Sequence, residues 1–148
     1  MSNKSIHYIT LPATLNAPAA HAATVTGAAF DREKGFNSDI GAPYEAVDFI
    51  LDVGAYTDGT HTPKLQDSPD NSTWTDVPAA NNLGAFTAIS GSGQQNTLQR
   101  VSYVGGANGP QRYVRMVVTV SGATTGCVYG ILAVAAYPRN LPTVASGS

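Results

Sequence analysis

The strongest constraint on how this chain can fold lies in its last two apolar runs. Residues 112–121 put Val114, Met116, Val118 and Val120 on one side and Tyr113, Arg115, Val117 and Thr119 on the other. That two-residue period belongs to a strand. Residues 127–137 follow across Ser121-Gly122-Ala123-Thr124-Thr125-Gly126 and are apolar at both parities, as in a strand covered on both faces. The short connection predicts that the two runs pair antiparallel.

Earlier segments repeat the pattern more weakly. In residues 45–53, Val47, Phe49, Leu51 and Val53 oppose Asp48, Ile50 and Asp52, and Ala55 extends the apolar side until Thr57-Asp58-Gly59-Thr60 turns the chain. Residues 62–68 and 73–77 flank Pro69-Asp70-Asn71, a hairpin signature. Residues 85–89 read as a weak strand. Residues 97–104 set Leu98, Arg100, Ser102 and Val104 against Gln99, Val101 and Tyr103, before a glycine-rich breaker at 105–110. Short strands with frequent turns predict an all-β fold, an antiparallel β-sandwich or a jelly-roll-like barrel.

The 148 residues accommodate one such domain, placed at 24–138. Residues 1–23 hold no sustained period, and Pro12 and Pro18 discourage ladder pairing. They are expected to form an extended N-terminal arm with at most one short strand around residues 7–11. Fully extended, such an arm reaches up to roughly 70 Å, enough to cross to a neighbouring subunit. Residues 139–148 are expected to form a short tail.

Charged residues make up 12% of the chain, about half the usual share, as in proteins that bury much of their exterior against partners. The net charge of −2 provides no basic field, so no nucleic-acid partner is expected. No apolar run approaches the ~20 residues of a membrane span, and the N-terminus has no apolar leader core. A soluble chain without membrane contact is expected.

Candidates for chemistry are few. Cys127 is the only cysteine, so an intrachain disulfide and a thiolate metal cluster are excluded; its apolar surroundings read as core. His7, His21 and His61 lack metal-type spacing. Asp48 and Asp52 share a strand face about 13 Å apart, too far for paired glycosidase carboxylates. Ser90-Gly91-Ser92-Gly93 has no strand-to-helix elbow, and the 105–109 glycines lack the lysine of a phosphate loop. Pro69 interrupts the acidic 67–76 stretch, against a calcium loop. No catalytic residue, metal or cofactor is expected. Trp74, Tyr56 and Tyr103 could stack on sugars, the signature of a carbohydrate-binding module, although alternation also suits Trp74 to the core or a strand-face contact.

Several of these segments taken together carry a resemblance. They are Asp58-Gly59-Thr60-His61-Thr62-Pro63-Lys64-Leu65-Gln66-Asp67-Ser68, Asn71-Ser72-Thr73-Trp74-Thr75-Asp76-Val77, Gln111-Arg112-Tyr113-Val114-Arg115, Val118-Thr119-Val120-Ser121-Gly122 and Val134-Ala135-Ala136-Tyr137-Pro138-Arg139. Over residues 49–138 the chain resembles virion structural proteins of tailed bacteriophages, in particular capsid decoration (cement) and minor capsid proteins. The resemblance implies a sandwich or jelly-roll module on the capsid outer surface, commonly a homotrimer. Its partners would be the major capsid protein and itself, and it would stabilise contacts between major capsid subunits through many weak contacts. A tail or head–tail module is the alternative within the same class. The expected contact residues are Ile6, Tyr8, Leu11 and Leu15 in the arm. To these are added Asp31, Arg32, Glu33 and Lys34, the one charge cluster, which also reads as a solvated loop.

Overall fold

The alternating segments become two facing antiparallel sheets in the computed structural model, which describes residues 10–33 and 44–138. In chain order the strands are β1 (Thr10–His21), β2 (Val25–Thr26), β3 (Phe30–Asp31), β4 (Tyr44–Tyr56), β5 (Thr60–Ser68), β6 (Thr75–Asp76), β7 (Thr97–Tyr103), β8 (Tyr113–Ser121) and β9 (Cys127–Pro138). Sheet A runs β1-β9-β4-β7; sheet B runs β2-β8-β5-β6, with β3 also paired to β8. The architecture is a β-sandwich. Its core comes from one parity of each strand: Val47, Phe49, Leu51, Val53, Tyr129 and Ile131 from sheet A, and Leu65, Val114, Met116 and Val118 from sheet B.

The two strongest runs do not pair with each other. β8 lies in sheet B against β5, from Thr60↔Ser121 to Ser68↔Tyr113, whereas β9 lies in sheet A between β1 and β4. Residues 122–126 therefore arch from one sheet to the other, as residues 57–59 do between β4 and β5. The two arches are pinned together. The Asp58 carboxylate accepts the backbone N–H groups of Thr124, Thr125 and Gly126, at 2.6 Å for Gly126, and Thr57 and Asp58 donate their own N–H groups to the Gly126 carbonyl. These bonds hold the Asp58 carboxyl below the usual carboxylate range. Gly126 has φ 87°, and a β-carbon there would collide with the His21 carbonyl.

Residues 10–21 also depart from expectation. Instead of one short strand, β1 pairs along β9 from Thr10↔Ala136 to His21↔Cys127. Pro12 and Pro18 are tolerated because β1 is an edge strand, where the ladder needs donors on one side only. Register shifts between Thr14 and Asn16 and between Asn16 and Ala19 bend the strand. Pro18 crosses β9 at Gly130, where a β-carbon would lie 2.9 Å from the proline ring.

The other edges are blunted as well. β6 has two residues. Residues 85–89 form no strand; only Ile89 bridges, to His61. The neighbouring loop instead covers the edge of β7. Leu83 exchanges two backbone bonds with Ser102, and the Gln99 side-chain amide bonds both the N–H and the carbonyl of Thr87. Ala55 is exposed rather than part of the apolar side, because the register shifts between Val53 and Tyr56. The hairpin of β5 and β6 forms as expected, pairing Gln66 with Asp76. In its loop the Asp70 carboxylate accepts the N–H groups of Ser72 and Thr73.

Candidate binding interface

Each strand of a sandwich has a second parity that points away from the core, and the two sheets use theirs differently. On sheet B the outward row is mostly polar and internally satisfied, with Val117 opposite Lys64 as its buried apolar member. Lys64 pairs with Asp76 at 2.8 Å, Gln66 Nε2 donates to the same carboxylate, and Arg115 donates from Nε and Nη2 to Gln66 Oε1. The Arg115 guanidinium lies 4.0 Å from the centroid of the Trp74 ring. Lys64 and then Gln66 hold the Asp76 carboxyl below its usual range.

On sheet A the outward row is largely apolar. Registers across β9, β4 and β7 set Ala136 beside Ala46, Val134 beside Asp48 and Ser102, and Leu132 beside Ile50 and Arg100. Leu98 on β7 is 65% exposed, and Leu83 and Val104 at the same margin are 69% and 51% exposed. At one end of this face a groove of about 440 Å³ has Ala46, Val134 and Ala136 in its lining, with Leu83 and Val104 at its side. Asp48 supplies a carboxylate to it. Ser102 Oγ donates to Asp48 Oδ1, and Arg100 Nε stands 3.5 Å from Oδ2.

The predicted contact residues are distributed differently. Leu15 is 5% exposed and belongs to the core, so its side chain is not available to a partner. Leu11 pairs with Ala135 within sheet A. Asp31 makes a two-pronged bond to Arg112 at 3.0 and 2.8 Å, and Glu33 joins the same guanidinium at 3.2 Å. Arg32 donates to the carbonyls of Gln111 and Glu45. This cluster ties β3 to the start of β8 within the chain, and Asp31 raises the Arg112 pKa above its usual value. Ile6, Tyr8 and Lys34 lie outside the described residues.

The three possible sugar-stacking rings share no platform. Tyr103 is 3% exposed, its hydroxyl donating to the buried Asp67 and accepting from Gln111 N–H, and burial pushes its pKa up. The Tyr56 hydroxyl donates to the Gly59 carbonyl, and Trp74 has Arg115 over its ring. Cys127 is buried, as expected for a core thiol, and its pKa is raised by that burial. Among the described residues no cluster of His, Cys, Asp or Glu could hold a metal ion, and no helix is long and apolar enough to cross a membrane.

The residues of the sheet A face carry a signal in the sequence. Residues 127–137 are apolar at both parities, yet a two-layer sandwich covers only one of them. The second parity forms the outward row of sheet A. Leu98 and Val104 follow by the same reasoning from 97–104, whereas Leu83, in a loop, carries no periodic signal. No protein-family model matches this chain, and no curated protein matches it.

Proposed function

We propose that this chain is a structural protein of a tailed-bacteriophage virion, a capsid decoration or minor capsid protein that binds the outside of the shell. It would join neighbouring major capsid subunits there, as a homotrimer. The observation that carries the reading is the apolar outward face of sheet A, which a sandwich of this kind does not need for its own core. The blunted sheet edges support it: they disfavour open-ended growth by strand addition and leave faces as the surfaces for association. The resemblance over residues 49–138 supplies the virion context. In this role the chain makes and breaks no covalent bond. It contributes burial of apolar and neutral polar surface, repeated over a symmetric lattice.

Mixing the purified chain with expanded, undecorated shells of the phage that encodes it tests the reading. Co-sedimentation that saturates at a fixed ratio to the major capsid protein is expected, together with greater resistance of the shell to heat. A chain that stays in the supernatant at all concentrations, with shells unchanged in stability, overturns it.

A further inference from the structure

We infer that the groove on the outward face of sheet A receives a basic, aliphatic segment of the capsid partner: a lysine or arginine whose stem lies along Ala46, Val134 and Ala136 and whose charge meets Asp48. This inference rests on the virion reading above and adds the place and the chemistry of contact.

Three observations define the occupant. The groove's size, about 440 Å³, falls within the range of sites that hold a short segment or small ligand. Its lining is small and apolar where a methylene stem would lie, and long basic side chains cover apolar surface with their stems while directing charge to a polar end. The charge at that end is negative. Asp48 keeps 28% of its side chain exposed, and of its oxygens one accepts from Ser102 while the other meets Arg100 only at 3.5 Å. Arg100 is itself 66% exposed, so an incoming cation can share or replace that contact.

Charge also argues against a second copy as the occupant. A two-fold contact brings the same patch together from both subunits. Here Asp48 and Asp52 on β4 would oppose their own copies, with Arg100 on β7 in compensation. A partner with a basic, aliphatic surface meets no such repulsion.

The experiment is a co-sedimentation titration of the full chain against expanded shells at low and physiological salt. Wild type is compared with Asp48→Asn, Asp48→Lys, Leu83→Glu and Val104→Glu, and with Lys64→Glu on sheet B as control. Asp48→Asn keeps an acceptor for Ser102 and removes only the charge. Leu83 and Val104 are exposed, so their variants are expected to fold, which circular dichroism verifies. Asp48→Lys and the two glutamate variants should bind about 30-fold or more weakly, Asp48→Asn about tenfold more weakly, and Lys64→Glu like wild type. Wild-type affinity should fall with salt.

If wild type binds shells and the four groove variants bind equally well, the groove inference fails while the virion reading stands. If wild type does not bind, the virion reading fails and this inference with it. If wild type self-associates in ultracentrifugation and Leu83→Glu abolishes that association, the occupant is a second copy and the inference is overturned.

Discussion

The outward faces of the two sheets are built from the same alternation and put to opposite use. Sheet B turns Lys64, Gln66 and Arg115 toward water, beside Asp76 and Trp74, and satisfies them with one another. Sheet A turns Ile50, Leu98, Leu132 and Val134 the same way, with Asp48 and Arg100 among them. The core requires one apolar parity per sheet, and both sheets provide it. Among the described residues the second apolar parity on sheet A lies outside the buried core, and exposed apolar surface has a cost in solubility unless it is covered. The difference separates what makes this chain fold from the surface proposed above to bind.

Neighbouring residues on β9 offer the sharpest way to break that comparison. Ile131 is fully buried, whereas Leu132 points outward and is partly exposed. Ile131→Ala should lower unfolding stability by about 2–5 kcal/mol in urea titration, from lost burial plus the cavity left behind. Leu132→Ala should cost under about 1 kcal/mol, since its surroundings are already wet. Equal losses at the two sites would mean that the outward face is packed in the isolated protein, and the contrast between the sheets would collapse.

A smaller effect concerns a polar side-chain bond that joins the sheets inside the core. Tyr103 of sheet A donates its hydroxyl proton to Asp67 of sheet B at 2.8 Å, and both residues are buried. Tyr103→Phe leaves a buried carboxylate without that donor and the Gln111 N–H without its acceptor, an expected loss of about 1–3 kcal/mol. Asp67→Asn added to Tyr103→Phe should recover part of the loss. A Tyr103→Phe protein as stable as wild type would show that this bond between the sheets contributes nothing.

The comparison also marks how far the sequence could be read. Parity identified the core side of β4 and β8, because inward and outward residues alternate at a fixed period that local sequence records; in β7 both sides carry apolar residues, so parity alone left its core side open. The turn residues around Asp70 located the hairpin for a similar reason: a short carboxylate caps its own loop. Sheet membership was not legible. The short connection before β9 suits a hairpin and an arch equally, and the arch is pinned by Asp58, far away in sequence. β1 was obscured by prolines that only an edge position accommodates. Of the candidate site, the apolar outward parity was present in residues 127–137, but its meaning depended on knowing that, among the described residues, the facing sheet packs on one side of sheet A. Arg112, the partner of Asp31, lies 81 residues away, so the charge cluster's role within the chain had no local signature.

The smallest expected effect sharpens the comparison from the polar side. Asp76 on sheet B has its pKa depressed, first by the hydrogen bond from Lys64 and then by that from Gln66. A group whose folded pKa lies below its unfolded value stabilises the fold fully above the unfolded value, roughly 3.9 for aspartate. The contribution is lost as pH falls through the folded value. The pair is well exposed, so solvent screening keeps it to at most about 0.5 kcal/mol at neutral pH. Asp76→Asn should therefore lower stability slightly at pH 7, lose that deficit progressively below about pH 4, and narrow it in high salt. Leu132→Ala on sheet A removes no charge, and its small cost should show no such narrowing at either low pH or high salt. If the Leu132→Ala deficit instead tracked pH and salt as the Asp76→Asn deficit does, the outward face of sheet A would be behaving as a charged surface, and its assignment as the face that waits for a partner would fail.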